Sequence, residues 1–195
     1  MSEIVSRETF EKFEIYKKLL VKWQNAINLV SRETLKDLDE RHFNDSLQLL
    51  KYIPQATNTH IDIGSGAGFP GLVLAIANSN LSTTLVESDL RKCQFLKNVS
   101  RETMTTISVL NGRIETIQGL SYDLITARAL ANLNQLLIYA KPLSHDNTVF
   151  LFLKGAGVDH EISEAQKFWD FNLEIFPSLT HSEGKIIRIQ NLNSK

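Results

Sequence analysis

The chain has 195 residues, 43% of them hydrophobic, and a formal net charge of −1. That size suits one domain with an extension, that apolar share excludes a disordered chain, and that charge excludes a uniformly cationic surface. Cys93 is the single cysteine, which excludes an intrachain disulfide and a multi-cysteine zinc site; no metal is expected, and a reducing, cytoplasmic location is.

In chain order, Met1 to Phe10 is polar and acidic, so no secretory signal is expected. Phe10, Phe13, Tyr16, Leu20, Trp23 and Ile27 then recur at helical steps and give one apolar face. A second helix is predicted from about Asp39 to Tyr52, with Phe43, Leu47 and Leu50 inward and Pro54 as its stop. Next the pattern changes. His60 to Ile63 reads as a strand ending in a glycine-rich turn, and Phe69 to Ala77 as the helix after it. The apolar run Leu72 to Ala77 is far too short to span a bilayer, so no membrane is expected. Further strands are predicted at Thr83–Glu87, Ile107–Leu110, Tyr122–Thr126 and Thr148–Leu153, with helices at Arg91–Glu102 and Leu130–Ala140. Two closing strands, Leu173–Phe176 and Lys185–Gln190, are separated by Pro177 and the turn-like Ser182-Glu183-Gly184.

Strands alternating with helices imply right-handed crossovers and a mostly parallel sheet; a closing pair without a helix implies an antiparallel strand at one edge. The expected fold is α/β and Rossmann-like, a seven-stranded, mostly parallel sheet with an antiparallel edge strand. Residues 1–58 form a helical N-terminal extension, and residues 59–195 form the core of the same single domain. In such sheets the ligand sits beyond the carboxyl ends of the strands.

The turn after the first strand reads Asp62-Ile63-Gly64-Ser65-Gly66-Ala67-Gly68-Phe69-Pro70-Gly71. Its glycines allow a sharp bend and close approach of a ligand, and its place before a helix aims N–H groups at that ligand. Pro70 is expected at the first helical position, where its missing N–H is harmless. Two cofactors compete for this turn. Gly66, Gly68 and Gly71 satisfy the dinucleotide fingerprint, with Glu87 placed for ribose hydroxyls, which fits a nicotinamide-dependent oxidoreductase. Asp62, two residues before Gly64, gives D-x-G-x-G instead. A carboxylate there repels pyrophosphate and suits a ligand with an amino group and no phosphate, which describes S-adenosylmethionine. Glu87 either binds the ribose or pairs with Arg91 or Lys92. After the third strand, Gly112-Arg113-Ile114-Glu115 is placed to cover the adenine, although Glu115 equally suits the first turn of a helix.

The acceptor is decided beyond strands four and five. Thr126 to Leu130 lacks the Asn/Asp-Pro-Pro-aromatic motif that holds an exocyclic amine, and Cys93 lies elsewhere, so covalent activation of a pyrimidine is not expected. No general base stands out. A ring nitrogen with a free lone pair, such as guanine N7, needs none, and positioning with electrostatics suffices. Arg128, and Lys154 with Gly155, either hold a phosphate or base edge or form structural ion pairs. His42 and Asp45 share a helix face and either line the cleft or pair locally. Two basic clusters, Lys17/Lys18/Lys22 and Arg91/Lys92/Lys97/Arg101, are phosphate grips or solvated helix faces.

Several segments together resemble one family. They are Trp23 to Leu29, Arg41-His42-Phe43-Asn44-Asp45-Ser46-Leu47, the turn Asp62 to Gly71, Arg113-Ile114-Glu115, Ala127-Arg128-Ala129 and Phe152-Leu153-Lys154-Gly155. In order and spacing they are similar to the RsmG (GidB) family of bacterial small-subunit ribosomal RNA guanine-N7 methyltransferases. The turn is the most specific of them, Ile114 stands where the family often has alanine or valine, and the chain after Gly155 adds little. The resemblance implies the Rossmann-like, S-adenosylmethionine-dependent methyltransferase fold and methyl transfer to N7 of one guanosine in the decoding region of 16S rRNA. It implies cofactor contacts at Gly64, Phe69, Ile114, Glu115 and Arg128, and a cleft position for His42 and Asp45. The partner is then 16S rRNA in the small ribosomal subunit or its precursor, met by a monomer. Three alternatives stay open: a methyltransferase for another RNA nucleotide or a small molecule, a non-catalytic S-adenosylmethionine-binding RNA module, and the oxidoreductase.

Overall fold

The computed structural model describes residues 5–195. Helix α1 (Arg7–Gln24) begins where the Ser6 side chain accepts from the Thr9 N–H, and it buries Phe13, Tyr16 and Leu20. Past its end, the Gln24 side chain accepts from the Leu29 and Val30 N–H groups and donates to the Val30 carbonyl. These bonds replace the lost helical ladder, so Ile27 is buried from a turn and not from the helix.

The second helix is not one regular helix. A 3₁₀ turn (Thr34–Asp37), a π-helical turn (Asp39–Asn44), a single α turn, α2 (Asp45–Leu47), and another 3₁₀ turn (Gln48–Tyr52) follow in series. At Arg41 a side chain enters the ladder. The Arg41 carbonyl accepts from the Arg128 guanidinium at 3.1 Å, and the Asp45 N–H turns to the His42 carbonyl instead. The changed phase buries Leu49 fully and leaves Leu50, expected inward, only partly covered.

Seven strands follow: β1 (Thr59–Ile63), β2 (Ser82–Glu87), β3 (Ile107–Asn111), β4 (Tyr122–Arg128), β5 (Ser144–Lys154), β6 (Trp169–Pro177) and β7 (Lys185–Ser194). Their spatial order is β3-β2-β1-β4-β5-β7-β6. The first five are parallel; β7 lies between β5 and the edge strand β6, antiparallel to both. All five parallel strands therefore deliver their carboxyl ends to one side. Helices α3 (Gly71–Ala77) and α4 (Leu90–Glu102) join the extension on one face of the sheet, while α5 (Leu133–Ala140) and α6 (Val158–Ala165) cover the other. Helix α6 lies where the sequence pattern predicts no helix. Phe69 and Pro70, predicted within α3, belong to the loop, joined by a cis peptide bond. Helix α5 starts later than expected because Asn132 caps it, accepting from the Gln135 N–H.

The extension shares its core with the sheet. Phe13 and Tyr16 of α1 meet Phe43 edge-on at 5.3 and 5.2 Å, and Phe43 meets Phe69 of the glycine loop at 5.3 Å. One apolar cluster thus runs from α1 through the loop to Leu85 of β2 and Phe95 of α4. Truncating Phe43 to alanine is expected to cost about 3–5 kcal/mol in urea unfolding. Because the cluster is continuous, the wild-type protein is expected to unfold in a single transition; two transitions would make the extension a separate unit.

Candidate active site

A cavity of about 460 Å³ opens at the carboxyl ends of the parallel strands. Its floor is the glycine loop, where Gly64, Gly66 and Phe69 line it. Glu87 enters from the end of β2, Ile114 and Glu115 from the loop after β3, and Arg128 from the end of β4. The extension closes the cavity with Leu29, Val30 and His42. Three wall residues that sequence reasoning missed are Leu29, Val30 and Tyr139. Leu29 lay within a quoted motif, but nothing marked it or Val30 as cavity-facing. Tyr139 reaches the cavity from α5, and burial with the neighbouring Glu115 carboxylate raises its pKa.

Glu87 holds the loop in shape. One of its carboxylate oxygens accepts from the Gly66 N–H at 2.8 Å and the other from the Asp89 N–H at 2.7 Å. It is buried, and the alternative, a surface pairing with Arg91 or Lys92, does not form. Gly66 has φ of +57°, and a side chain there would enter open cavity space rather than protein. Gly68 faces the opposite way, against Tyr16, Leu72 and Leu96, and does not line the cavity. The loop also spends its N–H groups internally: Ser65 on the Val86 carbonyl, Gly66 on Glu87 and Gly68 on the Ser65 carbonyl. The expected fan of ligand-facing donors is therefore partly consumed.

Asp62 lies behind the loop, 1% exposed and off the cavity wall. The Thr126 hydroxyl donates to its Oδ1 at 2.6 Å, and Oδ2 has no hydrogen-bond partner. Thr126 in turn accepts from His60 Nε2 at 2.9 Å, and His60 Nδ1 meets the Thr83 hydroxyl at 3.1 Å. A buried polar chain thus crosses β2, β1 and β4 beneath the loop. His60 is neutral within it, because burial lowers its pKa to about 3. Burial raises the Asp62 pKa to about 6, opposed by the Thr126 hydroxyl and the Arg128 charge.

A second cavity, of about 430 Å³, adjoins the first, and His42, Arg128 and Ala129 line both. They form the partition. The Arg128 guanidinium donates to Asp45 Oδ2 and to the Arg41 carbonyl at 3.1 Å each, and to His42 Nδ1 at 2.8 Å. It also lies 5.0 Å over the Phe69 ring, which stacks on His42 at 4.8 Å. A guanidinium only donates, so His42 Nδ1 accepts and the proton of the neutral ring sits on Nε2. Burial and the charges of Arg128 and Arg41 lower the His42 pKa to about 3. Its Nε2 is buried without a partner, a donor left unspent at the partition. Lys154 lines the second cavity but is committed to Glu161 at 2.5 Å and to the Ala131 carbonyl at 2.9 Å. Cys93 donates to the Glu87 carbonyl, and burial raises its pKa, so it offers no nucleophile.

Together, a parallel sheet ending in a glycine loop, a carboxylate at the end of β2 and a second polar cavity alongside define a Rossmann-like, S-adenosylmethionine-dependent methyltransferase. The comparisons with known proteins agree. In fold, the chain superposes on an O-methyltransferase from Bacillus cereus in complex with SAH with a TM-score of 0.60, covering 90% of each chain at 16% identity. The ribosomal protein L11 methylase from Lactobacillus delbrueckii gives a TM-score of 0.62 over 75% of this chain and 76% of that one, at 13% identity. The family model described as rRNA small subunit methyltransferase G matches residues 9–189. Proteins named ribosomal RNA small subunit methyltransferase G are 46% identical in Paramagnetospirillum magneticum, over 97% of this chain and 92% of that protein, and 44% identical in Rickettsia felis, over 96% of each. The chain belongs to the rRNA small subunit methyltransferase G family.

S-adenosylmethionine fits the first cavity by the chemistry of its wall: a carboxylate for ribose hydroxyls at Glu87, apolar Ile114 beside backbone at Gly112, and room at Gly66. Gly66→Val is expected to fill that room and, at a φ of +57° that a β-branched residue resists, to strain the loop as well, weakening S-adenosylhomocysteine binding by at least about 100-fold in calorimetry with the circular dichroism spectrum retained. Unchanged affinity would place the cofactor elsewhere. Asp62 is expected to leave a pH signature. Folding favours its protonated form, so stability falls as pH rises from 3.8 to about 6 and is level above that. Asp62→Asn should flatten this part of the urea midpoint profile; an identical profile in the variant would assign the slope to other groups.

Proposed function

We propose that this protein transfers a methyl group from S-adenosylmethionine to N7 of a guanosine in the decoding region of 16S rRNA, with the small ribosomal subunit or its precursor as substrate and the protein acting as a monomer. One observation carries the choice of acceptor atom. Each candidate base at the partition is already committed. Asp45 accepts from Arg128, Gln48 and Thr180, and His42 Nδ1 accepts from Arg128. Bound S-adenosylmethionine supplies an electrophilic methyl group. Guanine N7 carries an in-plane lone pair and no proton, so it accepts that methyl without a base. The chain's task is then to orient the ring and exclude water.

In this reading the first cavity holds the cofactor, with Glu87 on the ribose and Gly64, Phe69, Ile114, Glu115 and Arg128 around it. The second receives the base, beside His42, Arg128 and Lys154. The unspent His42 Nε2 proton suits an acceptor oxygen such as guanine O6. Asp62 and Gly68 act at one remove, by supporting the loop from behind.

RNA phosphates need cations outside the cavities. Helices α1 and α4, which carry the two basic clusters, pack together through Trp23 and Phe95, 5.8 Å apart. Lys17 is drawn to Glu14 and Asp39, and Arg101 to Glu102 at 2.9 Å, whereas Lys18, Lys22 and Lys97 are exposed. Lys92 of the same helix reaches the cofactor cavity.

Labelled S-adenosylmethionine, unmethylated small subunits and nucleoside mass spectrometry test the function. Labelled 7-methylguanosine is expected. Label in another nucleoside would move the acceptor, and cofactor binding without label would make this a binding module. The rate is also expected to fall steeply between low and above-physiological salt, as phosphate contacts require; a flat response would remove the basic helices from substrate binding.

A further inference from the structure

Between β6 and β7 a turn of residues 178–184 forms one side of the second cavity through Ser178, Thr180, His181 and Gly184. No residue of this turn lines the cofactor cavity. The turn closes on itself, with the Ser178 N–H donating to the Gly184 carbonyl and the Gly184 N–H to the His181 carbonyl at 2.9 Å each, and it is clasped in addition by the N-terminal extension, about 130 residues away in sequence. The Gln48 side chain donates to the Ser178 hydroxyl at 3.2 Å and accepts from the Leu179 N–H at 2.9 Å. The Thr180 hydroxyl donates to Asp45 Oδ1 at 2.8 Å, where Gln48 donates as well, at 2.9 Å. The other Asp45 oxygen holds Arg128. Thr180, Asp45 and Arg128 thus form one polar chain from the turn to the partition between the cavities.

This clasp fixes a backbone that buries little of its own. Leu179 is 71% exposed, although its N–H is pinned to a buried glutamine. Ordering such a segment costs conformational entropy that no apolar burial of Leu179 offsets. The arrangement makes sense if the turn must already be in place when a partner arrives. Its exposed surface suits an RNA nucleotide: the apolar Leu179 face for a ribose or base, with His181 and Lys185 near for phosphate.

We propose that the β6–β7 turn is the recognition wall for the RNA acceptor, and that Gln48 and Thr180 are positioning residues that fix it to Arg128 through Asp45. This rests on the RNA methyltransferase reading above. Acceptor binding should therefore depend on the clasp while cofactor binding does not.

Thr180→Val removes the donor and keeps the shape; Thr180→Ser restores the donor. Steady-state methylation of unmethylated small subunits is measured for each, with S-adenosylhomocysteine affinity taken by calorimetry. Thr180→Val is expected to raise the subunit KM about tenfold, the scale of one hydrogen bond to a charged group, and to leave the cofactor Kd within about twofold. Thr180→Ser is expected to return KM to the wild-type value, and Leu179→Ser to raise it without touching the cofactor Kd. An unchanged KM in Thr180→Val, or an equal loss of cofactor affinity, would overturn the proposal. Co-sedimentation with subunits in S-adenosylhomocysteine reads the wall without turnover. If the wild type binds subunits yet transfers no methyl, the methylation reading fails, and weaker binding by Thr180→Val still decides the turn.

Discussion

Arg128 brings a cation to the place where the N-terminal extension, the end of β4 and the glycine loop meet. Taking that charge out of water is costly unless its donors and its charge are satisfied. Asp45, the Arg41 carbonyl, His42 Nδ1 and the face of Phe69 satisfy it, and each comes from outside β4. Three consequences follow from this one contact. The extension is tied down where its helix is irregular, the proton of the neutral His42 ring is set on Nε2, and two cavities are separated by a partition of His42, Arg128 and Ala129. A lysine in its place would bring the charge but not the planar fork that reaches all three partners at once.

Glu87 does for the cofactor side what Arg128 does for the partition. Its two oxygens each fix one backbone N–H, so the loop that receives the ligand is built before the ligand arrives. Preorganisation of this kind leaves affinity for contacts and not for folding the loop. A carboxylate at this strand end suits a ribose diol.

Much of this was legible in the sequence. Period-two and helical patterns locate every strand and most helices, strand-end logic points to the glycine loop and Glu87, and the family resemblance points to Ile114, Glu115 and Arg128; all of them line the first cavity. What failed did so for physical reasons. The residues 39–52 were read as one helix because Phe43 and Leu47 keep its period, but a guanidinium from the far side of the chain takes the Arg41 carbonyl. Asp62 and Gly68 were placed among the cofactor contacts because a motif records which residues are needed, not which way they face; both turn away from the cavity. Lys154 stands at the expected strand end, yet Glu161 of a helix the pattern did not reveal claims its charge. Leu29, Val30, Tyr139, Gln48 and Thr180 were invisible for a shared reason. Their roles depend on where packing sets an element, and no local spacing encodes that.

Arg128 organises both cavities through its fork of hydrogen bonds. Arg128→Lys tests this most directly, since the charge is kept and the fork is lost. S-adenosylhomocysteine affinity by calorimetry and the single-turnover methylation rate on small subunits would be measured in the same folded variant. The expected result is a loss of at least about tenfold in the rate together with weaker cofactor binding, the scale of one charged hydrogen bond or more. A variant that binds the cofactor and transfers methyl as the wild type does would contradict the account and return Arg128 to a purely structural ion pair.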